Sequence, residues 1–137
     1  MAEYLEPPLA RTLGIESGSR VALVAAPAAF VGRLGQLPAG VTFVSPEDGA
    51  VDVMVCFSTD HADLAARFHE LKPFLADAGS LWIAWPRKVP GVPFDLIENQ
   101  VRDIGVAAGL VDSRVCAIDE TWSGLRFGQR RAERPKA

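Results

Sequence analysis

Apolar positions along this chain follow two patterns, short unbroken runs and stripes spaced three or four residues apart. An unbroken run suits a strand buried on both faces, and a stripe suits a helix with one buried side. Residues 20–25 (RVALVA) form the first run, 41–44 a shorter one, 51–57 (VDVMVCF) the most apolar, and 80–85 (SLWIAW) a fourth. Two later runs, 111–118 and 125–131, flank a polar turn over 119–124. Between them lie the helical segments. Residues 7–13 predict one turn of helix ending at Gly14, and 28–34 a short helix stopping near Gly35. A clear helix starts after Asp60, a suitable N-cap, and runs through Leu64, Phe68, Leu71 and Leu75 to a stop at Ala78-Gly79. Another spans about 95–108, with Ile97, Val101, Ile104 and Ala108 as its stripe and Gly109 as its C-cap.

Strands alternating with helices of this length predict an α/β fold. It is a Rossmann-like, mostly parallel six-stranded sheet with helices on both faces, closed by a C-terminal antiparallel hairpin. At 137 residues the chain suits a single domain, expected over 1–131, with a frayed tail at 132–137. The short second strand leaves a sheet edge that a second subunit, a charge or a loop would cover, so a homo-oligomer is one expectation.

Composition removes several classes. A net charge of −3 disfavours a nucleic-acid binder that works by overall charge, and the closing Arg126, Arg130, Arg131, Arg134 and Lys136 read as an exposed strand and tail. The start, MAEYLEPP, lacks the layout of a secretory signal, and the longest apolar run is far short of a bilayer span. The chain therefore reads as soluble and cytoplasmic, with no membrane partner. Cys56 and Cys116 sit in apolar runs with no ligand spacing, so they read as reduced core thiols and no metal is expected. His61 and His69 are two helical turns apart, about 12 Å along the axis, too far to share a metal. No phosphate-loop, dinucleotide, zincin or nucleophile-elbow motif is present.

The order of elements resembles a trimmed class I S-adenosylmethionine-dependent methyltransferase. LGIESGSRVALVAA is similar to the approach to that fold's first strand, and LKPFLADAGSLWIAW to a helix, glycine turn and following strand. The resemblance implies a sheet order of 2-1-3-4-6-5, numbering strands along this chain. More closely, GxRVALxxAP, LWIAWPRK and GLVDSRVCAIDETWSGLRF resemble an uncharacterised bacterial family of short domains, from which no activity follows.

In such folds ligands bind at the carboxyl ends of the strands. The turn after the first strand, glycine-rich in the enzymes, here holds Ala25, Ala26, Pro27, Ala28, Ala29 and Phe30. Each alanine adds a methyl group, Pro27 deletes an N–H and Phe30 is sized to fill the cleft, so the turn reads as degenerate and packed under the sheet. Glu47 and Asp48, near the end of the second strand, read as solvated turn acids. No cofactor is expected, with S-adenosylmethionine in an atypical loop as the alternative.

Two clusters remain as ligand-binding candidates. Trp85, Arg87 and Lys88 follow a buried strand at the active edge and offer a stacking wall, a planar fork and a point charge for a carboxylate or phosphate. Trp82 and Trp85 are expected on opposite faces of their strand, leaving Trp85 for the rim. Asp119, Glu120, Trp122 and Ser123 occupy the hairpin turn. The leading expectation is a methyltransferase-like binding or regulatory module, for a small anion or a partner protein, that has lost its cofactor. An active methyltransferase comes second, and an enzyme of another class using Lys88, Asp119 or Glu120 third. No catalytic residue can be assigned from spacing.

Overall fold

The computed structural model describes residues 9–86, 97–118 and 121–129. A six-stranded sheet runs through it in the order β2-β1-β3-β4-β6-β5, with β1 Arg20–Val24, β2 Thr42–Phe43, β3 Val51–Phe57, β4 Leu75–Pro86, β5 Leu110–Ala117 and β6 Trp122–Gln129. The pairs β1–β2, β1–β3 and β3–β4 are parallel, while β6 pairs antiparallel with both β4 and β5. The helices are α1 Leu9–Thr12, α2 Phe30–Arg33, α3 His61–Leu71 and α4 Glu98–Ala107. No helix among the described residues is long and apolar enough to cross a membrane.

Strand alternation divides the core into two halves. Met54, Cys56, Leu81, Ile83 and Trp85 face α3 and α4, where they meet Leu64, Phe68, Val101 and Phe127. Val53, Val55, Phe57, Trp82 and Ala84 face α1 and α2, where they meet Ala10, Leu13, Phe30 and Leu34. Trp82 and Trp85 therefore lie on opposite faces. The unbroken run in β3 follows from this placement, because both of its faces are covered.

Asp60 caps α3, its Oδ1 accepting the Ala62 amide at 3.2 Å. Leu64, Phe68 and Leu71 are buried as the stripe requires, and Phe68 meets Phe127 edge to face with centroids 5.0 Å apart. On α4, Gly105 packs under the Phe127 ring so closely that an added Cβ would stand 2.2 Å from Cε1. Ile97 was expected in the buried stripe of that helix but lies at its N-cap, 50% exposed.

Several expected boundaries are corrected. The helix after Asp60 stops at Leu71 instead of running to Ala78-Gly79, because Pro73 lacks the N–H that would continue it and the chain tightens into a 3-10 turn over Lys72–Phe74. Leu75 then opens β4, several residues before the expected start at Ser80. The register explains how so early a strand is accommodated. Val51 pairs with Leu75 but Val53 with Ser80, so β4 carries extra residues in a bulge. Gly79 sits at that irregularity, where a Cβ would come within 2.6 Å of the Val51 carbonyl. The last strand also starts early, at Trp122 instead of Leu125, which shortens the hairpin turn. The first two strands and the short second helix are each trimmed by one or two residues at their ends, and the first turn of helix stops at Thr12, one residue before its expected end.

Candidate functional site

The carboxyl ends of β1, β3 and β4 meet the turn into β6 at one edge of the sheet. After β1 the chain turns at Ala25, whose φ of 57° lies in the left-handed region that glycine favours. The backbone thus keeps a glycine-type turn with alanine in it. Ala25, Ala28 and Ala29 are exposed, which corrects the expectation of a turn packed under the sheet. Phe30 does most of the packing, with Ala26 partly buried against the same half of the core. Phe30 is 2% exposed and meets Phe57 edge to face at 4.9 Å, and Phe57 meets Trp122 in the same way at 5.0 Å.

This aromatic string crosses from the β1 turn, over the end of β3, to the start of β6. Beside it remains a recess of about 160 Å³ lined by Pro27, Ala29, Phe30, Arg33, Thr121 and Trp122. Pockets that enclose drug-sized ligands run from about 300 to 1,000 Å³. Relief of the strain at Ala25 gives a direct check on the turn. Left-handed backbone costs a residue with a Cβ about 1–2 kcal/mol, and glycine returns about 0.4–1 kcal/mol of that through the unfolded chain. Ala25→Gly is expected to raise the unfolding free energy by roughly 0.5 kcal/mol in urea denaturation, and a clear loss would contradict the strained turn.

The remaining candidates are distributed unevenly. Trp85 is 5% exposed and packs in the α3/α4 half of the core, so its indole does not form an open rim. Trp122 is half-buried at the edge, its backbone paired with Pro86, and Ser123 pairs with Trp85 on one side and Ala117 on the other. Arg87, Lys88, Asp119 and Glu120 lie outside the described residues. Glu47 is exposed, whereas Asp48 is committed locally, its Oδ2 accepting the Ser45 amide at 3.1 Å. His61 and His69 are both exposed. Among the described residues no group of His, Cys, Asp and Glu could hold a metal ion.

Both cysteines are free. Burial pushes the Cys56 thiol up to about 12, and Cys116, half-buried, is shifted upward for the same reason. Neither is thereby poised as a nucleophile.

One polar group at this edge escaped the sequence reading. Ser58, directly after β3, is 4% exposed; its Oγ lies 3.2 Å from both the Asp60 carbonyl and Asp63 Oδ2. Its amide donates to the Ala84 carbonyl at 2.9 Å, which locks the β3–α3 turn against β4. The signal available was a serine standing between a nearly all-apolar strand and an acidic helix start.

Similar architecture occurs in solved structures. An S-adenosylmethionine-dependent methyltransferase from Aquifex aeolicus matches with a TM-score of 0.62 at 17% identity, over 85% of each chain. The likeness is one of fold. Magnesium protoporphyrin IX methyltransferase from Synechocystis, solved with S-adenosylmethionine bound, matches with a TM-score of 0.59 at 13% identity, over 89% of this chain and 74% of that one. Fibrillarin from Aeropyrum pernix, also with natively bound S-adenosylmethionine, gives 0.56 at 13% identity, over 87% and 72%. No family profile and no curated protein matches the sequence. The chain therefore has a methyltransferase-like Rossmann fold.

Proposed function

We propose that this methyltransferase-like domain does not hold S-adenosylmethionine in the usual mode and serves instead as a binding or regulatory module, for a small anionic ligand or a partner protein. The aromatic string of Phe30, Phe57 and Trp122 supports this reading best. It occupies the span between the β1 turn and the β6 turn, and the recess left beside it is about 160 Å³. The alanines of the turn add to the case, since each carries a methyl group where close backbone approach to a ligand favours glycine. Arg87 and Lys88, next in sequence after β4, are the cations this reading assigns to an anionic ligand.

A second reading, an active methyltransferase with an atypical cofactor loop, has one observation in its favour. The β1 turn retains a left-handed residue at Ala25, as a glycine-bearing loop would. Calorimetric titration separates the two readings. No saturable heat is expected with S-adenosylmethionine. Micromolar binding that disappears in Ala26→Leu would overturn the leading reading in favour of the second.

A further inference from the structure

At the opposite edge of the sheet, by the amino ends of β1, β3 and β4, lies a larger recess of about 360 Å³. One wall is the loop before β1, with Glu16, Ser17 and Ser19, and the other is formed by Ser80 and Arg126, while Asp52 joins the lining at the start of β3. Its size is within the range of small-molecule sites. A second recess of about 200 Å³, lined by Gln129, Ser113 and Gly128 among others, meets it at Arg126.

The placement of Arg126 follows from the sheet. It pairs with Trp82, so both side chains project from the α1/α2 face. Over Trp82 that face is covered, because the indole Nε1 donates to the Leu13 carbonyl at 3.0 Å. Two residues earlier, Ser80 pairs with Gly128, which has no side chain, and the guanidinium leans into the space left open. Its Nε donates to Ser80 Oγ at 2.8 Å, with Ser80 only 4% exposed. Among the described residues that is the one hydrogen bond of the Arg126 side chain, so both terminal nitrogens remain for a ligand. A planar fork held by its Nε is well suited to a carboxylate.

The rest of the lining selects among anions. Glu16 is exposed, and Asp52 gives one oxygen to the Arg20 amide at 2.9 Å, leaving the other. Two carboxylates against one guanidinium disfavour a multiply charged anion and complement a ligand that also carries a positive group. We propose that this recess binds a small zwitterion of the free amino-acid type. The ligand's carboxylate lies on the terminal nitrogens of Arg126, its ammonium group faces Glu16 and Asp52, and its side chain extends toward the adjoining recess. The site is on the edge away from the aromatic string, so its occupancy is independent of the function proposed above.

The test is an NMR titration of the full chain with the common free amino acids, one at a time, beside acetate and methylamine as one-ended controls. At least one amino acid should give saturable shifts at the amides of residues 16–19 and Ser80, with both controls weaker by about tenfold or more. Arg126→Gln and Glu16→Gln should each weaken that binding by a similar factor. Glu16 is exposed and, among the described residues, only its backbone bonds within the loop, so Glu16→Gln keeps the test valid if Arg126→Gln does not fold. The proposal fails if no amino acid binds, if acetate binds as well as the best amino acid, if the shifts map elsewhere, or if Glu16→Gln binds like the unaltered protein.

Discussion

Trp82→Ala is expected to lower the unfolding free energy by about 3–5 kcal/mol, read as a fall in the urea midpoint at unchanged slope. The indole is fully buried in the α1/α2 half of the core, so truncation leaves a large cavity between the sheet and the loop after α1. It also removes the donor to the Leu13 carbonyl, the hydrogen bond that ties that loop to the middle of β4. A second variant separates the two losses. Trp82→Phe keeps most of the apolar volume but leaves the carbonyl without its indole donor, at an expected cost of about 1–3 kcal/mol. An alanine variant within about 1 kcal/mol of the unaltered protein would mean that this half of the core contributes little.

Phe30→Ala should be comparably damaging, at about 3–5 kcal/mol, and informative about function. Its ring is the first member of the aromatic string and is almost wholly buried, although the helix that carries it has a single turn. Removing it joins new apolar space to the recess beside Pro27 and Trp122. Apolar cavities of this kind stay dry and admit small aromatic molecules. The variant should therefore gain saturable binding of benzene or indole, followed by NMR shifts at residues near Phe57, whereas the unaltered protein should show none. If both proteins bind the probe equally, the cleft is already open and the aromatic string does not close it.

Much of this architecture was legible because its signals are local. The VDVMVCF run demanded a strand covered on both faces, and the Leu64-Phe68-Leu71 stripe demanded a helix against it. Where the reading went wrong, a distant partner decided the outcome. Leu75 fits the helical stripe equally well, and only Pro73 and the pairing with Val51 turn it into a strand. The early start of β6 depends on pairing with Pro86 and Trp85, which no spacing within residues 119–125 reveals. At the carboxyl edge, the missing glycines were visible in the sequence, but the left-handed φ that Ala25 nonetheless adopts was not. Arg126 read as one cation in a basic run. Its place beside Ser80 depends on Trp82 pairing with Arg126 and Ser80 with Gly128, a relation that exists only once the strands are aligned.

The register shift between Asp112 and Arg114 has a further effect at the sheet boundary. As the last strand, β5 would offer a second molecule eight residues of open backbone, with Val111 and Val115 exposed along it. A bulge in the middle breaks the even spacing of its donors and acceptors, so an incoming strand can match one half of β5 and not the whole. The far boundary, β2, is only two residues long. Among the described residues, neither margin offers a long, evenly spaced edge along which the sheet could grow from one copy to the next.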